Sequence, residues 1–224
     1  MKRLAAILSA LMLASPVLAD PEVRGWKTAD SMGCMMLREC DEGVVEVTNV
    51  EEIGTLLAYS DYSVVATEAN ALIAELNKMG IKVYLAKDKY FIPRTAGIYT
   101  TVQNHMFLND SYMDDPVQFI QTLRHEAWHA AQDAMAGTLY NTQIAIIYPE
   151  EAVPQPIALA ATVAYGEGNP ALPWEKEAKW AGYTENMTLE VLKIINESGN
   201  RPWETIDPTP LTRLWLERNG FIAS

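Results

Sequence analysis

Two of the three histidines in this chain lie four residues apart around a glutamate, in the segment His125-Glu126-Ala127-Trp128-His129. Residues at this spacing share one face of a helix, so both imidazoles can reach the same metal ion. Zinc accepts such nitrogen ligands, and a glutamate beside them can take a proton from water. The segment therefore predicts a catalytic Zn²⁺ site with His125 and His129 as ligands and Glu126 as general base.

The helix that must carry these residues has recognisable ends. Asp115 predicts an N-cap, Pro116 suits the first helical position, and Gln118 completes a capping-box pattern. Gly137 ends the helix, and its apolar side is formed by Val117, Ile120, Leu123, Ala127 and Ala131. The two histidines then fall in the middle of the helix, where the backbone can hold them rigidly.

Other elements are predicted from hydrophobic periodicity. Apolar residues recur at helical spacing over 64–79, and Gly80 supplies a left-handed stop. Alternation predicts strands over 43–47, 81–85, 97–101 and 105–108, with a turn at 109–111. Further helices are predicted over 157–165, 174–181, 189–196 and 211–219, while most of 20–60 reads as irregular. Helices and strands in this order favour an α+β fold.

A catalytic zinc ion needs a third protein ligand, and several residues could supply it. His105 is the only other histidine. The carboxylate candidates downstream of the motif are Glu150, Glu151, Glu167, Glu175 and Glu177. The residues alone leave this choice open.

A motif helix followed by a glutamate-bearing helix resembles the zincin metallopeptidases, and among them the gluzincins, over roughly residues 64–182. In gluzincins the third ligand is a glutamate on a second helix, commonly followed by alanine. Glu177 precedes Ala178, so the resemblance implies Glu177 as ligand, with Ala178 and Ala181 allowing close helix packing. The chain departs from the family in having a longer gap after His129, and Ala181 where many gluzincins have a supporting aspartate.

The resemblance also implies a fold and an activity. The expected fold is zincin-like, a small mixed sheet packed on helices, with the motif helix under a cleft and the strand near 98–108 along its border. The expected activity is hydrolysis of peptide bonds in a peptide or protein substrate. Candidates for stabilising the oxyanion are Tyr165, Tyr183 and His105. The alternative is a catalytically silent zincin-like domain that binds a protein or a cell-envelope component.

Residues 1–19 are predicted to be a signal peptide. Lys2 and Arg3 precede an apolar run from Leu4 to Val17, and Asp20 is the expected first residue of the mature chain. The run is short for a membrane span, and no later segment is apolar for long enough. A secreted or periplasmic protein with a single domain over 20–224 is therefore expected.

Charge and cysteine content are consistent with this expectation. The formal net charge is −12, and removal of the signal peptide would make it −14. Such a protein repels nucleic acids and anionic membranes. Cys34 and Cys40 are the only cysteines, and export favours a disulfide between them. Zinc-binding thiolates are the alternative, but no second Cys or His pair lies nearby.

Overall fold

The computed structural model describes residues 28–40, 42–57, 61–101, 103–137, 139 and 143–198. The predicted signal peptide, the start at Asp20 and the helix over 211–219 lie outside these residues. The described helices are α1 (Thr28–Leu37), α2 (Val50–Leu56), α3 (Ala66–Lys78), α4 (Pro116–Met135), α5 (Gln155–Tyr165), α6 (Leu172–Tyr183) and α7 (Met187–Ser198). The strands are β1 (Val44–Val47), β2 (Lys82–Ala86), β3 (Gly97–Thr100) and β4 (His105–Asn109). Short 3₁₀ turns lie at Asp88–Tyr90, Asp110–Tyr112 and Glu150–Ala152.

The four strands form one mixed sheet in the order β1-β2-β4-β3. β2 is parallel to β4, whereas β1 and β3 are antiparallel to their neighbours. The prediction of an α+β fold with a small mixed sheet is confirmed. β3 is an edge strand, so one row of its backbone hydrogen-bonding groups is not used by a neighbouring strand of the sheet.

Both faces of the sheet are buried, because successive side chains of a strand point to opposite faces. Val83, Leu85, Met106 and Leu108 belong to the main core with α3, α4, α6 and α7. The intervening residues form a second cluster with α1, made of Cys34, Met35, Tyr84, Ala86, Tyr90, Phe91 and Phe107. A disulfide joins Cys34 to Cys40, as predicted. The expectation of an irregular 20–60 segment is corrected by α1 and α2.

The motif helix α4 begins and ends where the sequence predicts. The Asp115 side chain accepts a hydrogen bond from the Val117 amide at 2.8 Å, and Pro116 is the first helical residue. Gly137 has a φ of 98°, a left-handed conformation that favours glycine after a helix end. The 20-residue helix is buried along most of its length.

Helix α6 packs closely against α4 because small residues line the contact. Ala178 and Ala181 are fully buried, as the resemblance implied. A Cβ atom on Gly182 would lie only 3.0 Å from the Gln121 carbonyl oxygen of α4, so glycine permits this approach. This contact sets how deeply the side chains of α6 reach across the motif helix.

Candidate metal centre

Three side chains from α4 and α6 place their ligand atoms together. The Nε2 atoms of His125 and His129 lie 3.3 Å apart. One oxygen of Glu175 lies 3.2 Å from His125 Nε2, and the other lies 3.6 Å from His129 Nε2. All three residues offer ligand atoms within 4.8 Å of one another. Two imidazole nitrogens and one carboxylate form a donor set that divalent zinc uses.

The third member is Glu175, whereas the resemblance to gluzincins implied Glu177. Glu177 is 1% exposed and lies on the other margin of the α4–α6 contact. Its oxygens accept hydrogen bonds from Gln132 Nε2 (2.9 Å) and Trp128 Nε1 (3.3 Å). The backbone amides of Ile147 (3.1 Å) and Tyr148 also donate to it. These four donors hold Glu177 away from the histidine cluster.

One oxygen of Glu175 makes no regular hydrogen bond. Its Oε2 atom is inaccessible to solvent and lies 3.2 Å from His125 Nε2, but no described residue donates a well-aligned hydrogen bond to it. Burial raises the pKa of a carboxyl group, but the two neighbouring imidazoles, His125 and His129, lower the pKa of Glu175 well below its usual range. A half-buried, ionised carboxylate beside two imidazole nitrogens fits a divalent metal.

His129 carries the matching positive charge in the metal-free site. Burial opposes protonation of its ring, but the neighbouring Glu175 carboxylate raises the pKa of His129 to about 9. A metal ion binding to the ring nitrogen must displace this proton. The metal-free centre is thus an ion pair of the groups that would become ligands.

A hydrogen-bond chain behind His129 fixes which ring nitrogen faces the cluster. Gln132 Nε2 donates to Glu177 (2.9 Å) and to the Trp174 carbonyl oxygen (3.2 Å), so its Oε1 atom is left as an acceptor. His129 Nδ1 donates to that oxygen at 2.8 Å, and its Nε2 points to the cluster. Glu177 thereby orients a metal-facing histidine through Gln132.

Glu126 lies between the motif helix and the edge strand β3. It is 6% exposed, and the Tyr99 backbone lowers the pKa of its carboxyl group slightly. A Cβ atom on Gly97 would lie 2.7 Å from Glu126 Cγ and 2.9 Å from Thr122 Cγ2. Only glycine at 97 leaves room for the glutamate side chain in this position.

Burial also tunes the basicity of Glu126. Desolvation raises its pKa, and the positive charge of His125 and His129 opposes that rise, while Glu175 reinforces it. A carboxylate with a raised pKa is a better proton acceptor at neutral pH than one with the usual value. Glu126 can therefore accept a proton from water near the cluster.

A cavity of about 830 Å³ opens over these residues. Its walls include β3 and the segment before it, the C-terminal end of α5, and α6. Tyr165 lines this cavity, and desolvation together with the nearby Glu175 carboxylate raises the pKa of Tyr165. Tyr183 also lines the cavity and is 56% exposed. Both candidate tyrosines thus border the same cavity as the cluster.

The remaining candidates lie elsewhere. His105 packs against Tyr84 and Phe107 on the α1 side of the sheet, 5.2 and 6.0 Å between ring centroids. It does not line the cavity and is not part of the cluster. Trp128 is fully buried and stacks on Tyr148, in agreement with a packing role. Glu150 pairs with Lys176, and Glu151 and Glu167 are exposed outside the cluster.

Three residues of the site were not anticipated from the sequence. Gln132 follows His129 by three positions, a spacing that places it one turn away on the same side of α4. In the sequence, Gly97 is only the first residue of a predicted strand. Asp133 is fully buried and accepts a hydrogen bond from the Tyr99 hydroxyl at 2.7 Å, which ties β3 to α4.

Searches of protein-family models, curated proteins and solved structures found no match to this chain.

Proposed function

We propose that the protein is an exported zinc-dependent peptidase in which His125, His129 and Glu175 hold the metal. The observation that carries this proposal is the cluster of two imidazole nitrogens around the half-buried Glu175 carboxylate. Glu126 stands beside these residues with a raised pKa. The spacing of the motif and the resemblance to gluzincins support the same reaction class.

A bound Zn²⁺ would polarise the scissile carbonyl group and make water more acidic. Glu126 would accept the proton of the attacking water and pass it to the leaving amine nitrogen. Tyr165, which lines the same cavity as Glu175, would donate a hydrogen bond to the developing oxyanion. The buried position of Glu126 behind β3 keeps its carboxylate oriented for both proton transfers.

The edge strand gives a reason to expect an extended peptide as substrate. Within the described part of the chain β3 pairs with β4 alone, so its outer edge can bind a peptide backbone by adding a strand. The segment from Gly97 to Tyr99 lines the cavity next to Glu126. A peptide bound there would run past the metal centre.

Location outside the cytoplasm is part of the proposal. The disulfide between Cys34 and Cys40 is typical of oxidising compartments. None of the helices in the described part of the chain is long and apolar enough to cross a membrane. Together with the predicted signal peptide, these findings favour a secreted or periplasmic enzyme.

The test compares wild type with Glu126→Gln on a peptide library, after measurement of zinc content in both proteins. Glutamine keeps the size of the side chain but removes the base. We expect about one zinc ion per chain in both, and a loss of turnover by a factor of about 10³ or more in the variant. Full zinc occupancy without cleavage of any peptide by wild type would favour the binding-domain alternative.

A further inference from the structure

The charge of the cleft differs from that of the whole chain. The chain has a net charge of −12, but of the four Asp, Glu, Lys and Arg residues that line the cavity two are cations, Arg94 and Lys179. The two acids, Glu126 and Glu175, have roles in the proposed metal centre. The cations are left without a role in that centre.

Arg94 lies toward the N-terminal end of α4. Gly97 lies beside Thr122, and the Tyr99 side chain, two residues later, reaches Asp133, which is further along α4. β3 thus runs in the same direction as α4. Residues before Gly97 therefore extend toward the beginning of the helix. There the cavity is lined by Gln118 and Gln121 rather than by the metal-site residues.

Lys179 lies on the same side of the proposed metal centre as Arg94. Glu175 is next to His129, whereas Gly182 is next to Gln121, so α6 runs in the opposite direction to α4. Lys179 stands one turn after Glu175 on the same side of the helix. Its position is thus between the metal centre and the Gln121 end of the cleft.

Both cations are free to bind an anion. Most other described cations pair with carboxylates: Lys78, Lys82, Lys87, Arg124 and Lys176. Arg94 and Lys179 form no ion pair with any residue that the structure describes. The Lys179 ammonium group lies 5.6 Å from the centre of the Tyr183 ring, which also lines the cavity.

We propose that Arg94 and Lys179 bind a carboxylate of the substrate at the end of the cleft nearest the beginning of α4. This inference rests on the proposed peptidase function and specifies its substrate class as acidic peptides. The carboxylate is either an acidic side chain near the cleaved bond or the C-terminus of the peptide. A fixed pair of cations beside a bound metal ion also attracts such substrates from solution.

The experiment uses peptides that differ only in charge. One series places Glu or Gln at each position around the cleaved bond, and the other has a free or an amidated C-terminus. The measured quantity is the ratio of kcat/KM for the charged peptide to that for its neutral partner. We expect wild type to prefer the charged peptide about tenfold in one series, which identifies the source of the carboxylate.

Two substitutions of Lys179 test whether this residue causes the preference for charged peptides. Lys179→Met should reduce the ratio to about one, and Lys179→Glu should make it smaller than one. Arg94→Met should reduce it partly. Lys193→Met is the matched control, since this exposed lysine on α7 does not line the cavity, and its ratio should equal that of wild type. Melting temperatures of all variants verify that they fold.

A binding assay distinguishes the proposed carboxylate site from the proposed peptidase activity. Fluorescently labelled peptides of the same pairs are titrated into zinc-loaded Glu126→Gln protein, with and without Lys179→Met. A charge preference that depends on Lys179 supports the carboxylate site even if wild type cleaves no peptide, an outcome that would contradict only the peptidase. An equal charge preference with and without Lys179, or none in either assay, would overturn the carboxylate site.

Discussion

The two margins of helix α6 hold two glutamates in opposite chemical states. Glu177, on the inner margin, accepts hydrogen bonds from four donors. Glu175, on the margin that borders the cleft, has two imidazoles as neighbours, and no described residue donates a well-aligned hydrogen bond to its Oε2 atom. A buried carboxylate that is fully hydrogen-bonded stabilises the fold, whereas a carboxylate beside two imidazoles and without regular hydrogen bonds is suited to bind a cation.

The largest expected difference between the two glutamates is in zinc affinity. Loss of a residue that supports a ligand typically reduces metal affinity by about 10–100-fold, and loss of a ligand should exceed this. Glu175→Gln should weaken zinc binding by more than about 100-fold, and Glu177→Gln by about tenfold through Gln132. Competition titration with a chromophoric chelator measures both. Equal losses of zinc affinity in the two variants would show that Glu175 and Glu177 do not differ in metal binding.

Stability should change in the opposite order. Glu177→Gln places an amide group, which is a donor, among four donors, so metal-free protein should lose about 2–3 kcal/mol of unfolding free energy. Glu175→Gln removes a charge from a partly unsatisfied site and should change stability by less than about 1 kcal/mol. Urea denaturation with chelator present measures these values. A more destabilised Glu175→Gln protein would reverse the assignment of structural and metal-binding roles.

A smaller effect is expected where the cleft meets the sheet. Gly97→Ala places a methyl group within 3 Å of Glu126 and Thr122, so either β3 or the Glu126 side chain must move. We expect kcat to fall by about tenfold while zinc content stays unchanged, because the atoms nearest the added methyl group belong to Glu126 and Thr122 and not to a proposed ligand. Gly168→Ala is the control, since a Cβ there meets nothing within 4 Å. Unchanged turnover in Gly97→Ala would show that the position of Glu126 is not critical.

The smallest effect concerns Asp133, the buried carboxyl on the β3 side of α4. Burial raises its pKa to about 7, although the hydrogen bond from Tyr99 lowers it. Because the folded pKa exceeds the unfolded value, ionisation makes the folded state less stable as pH rises from about 4 through 7. Asp133→Asn should therefore be more stable than wild type by about 1 kcal/mol at pH 8, and the gain should shrink toward pH 5. Chemical denaturation at several pH values measures this, and a gain independent of pH would contradict it.

Much of the fold could be predicted because its elements have regular patterns. The strands and the helices α3 and α4 were placed to within two residues by alternation, helical periodicity and caps. Helix α2 was missed because it has only seven residues. Its one local signal is Asn49, whose side chain accepts a hydrogen bond from the Glu52 amide as an N-cap. Helix α1 is only weakly amphipathic, so its sequence gives no clear helical signal. Its buried side is identified only by the face of the sheet that it covers.

The site was predictable up to its third ligand. Residues 125–129 place both histidines and Glu126 by helix geometry alone. Ala178 and Ala181 mark the side of α6 that meets α4, and Glu175 and Glu177 lie at the two margins of that side. Which margin borders the cleft depends on β3 and on the backbone of Ile147, which are distant in sequence. Helical periodicity therefore could not choose between the two glutamates.

The most direct test of the metal centre is anomalous diffraction from crystals of the zinc-loaded protein, recorded on both sides of the zinc absorption edge. We expect one strong peak with His125 Nε2, His129 Nε2 and a Glu175 oxygen at about 2.0–2.2 Å. Glu177 should remain hydrogen-bonded to Gln132 in the same crystals. A peak coordinated by Glu177 or His105, or no peak at the two histidines, would contradict the account.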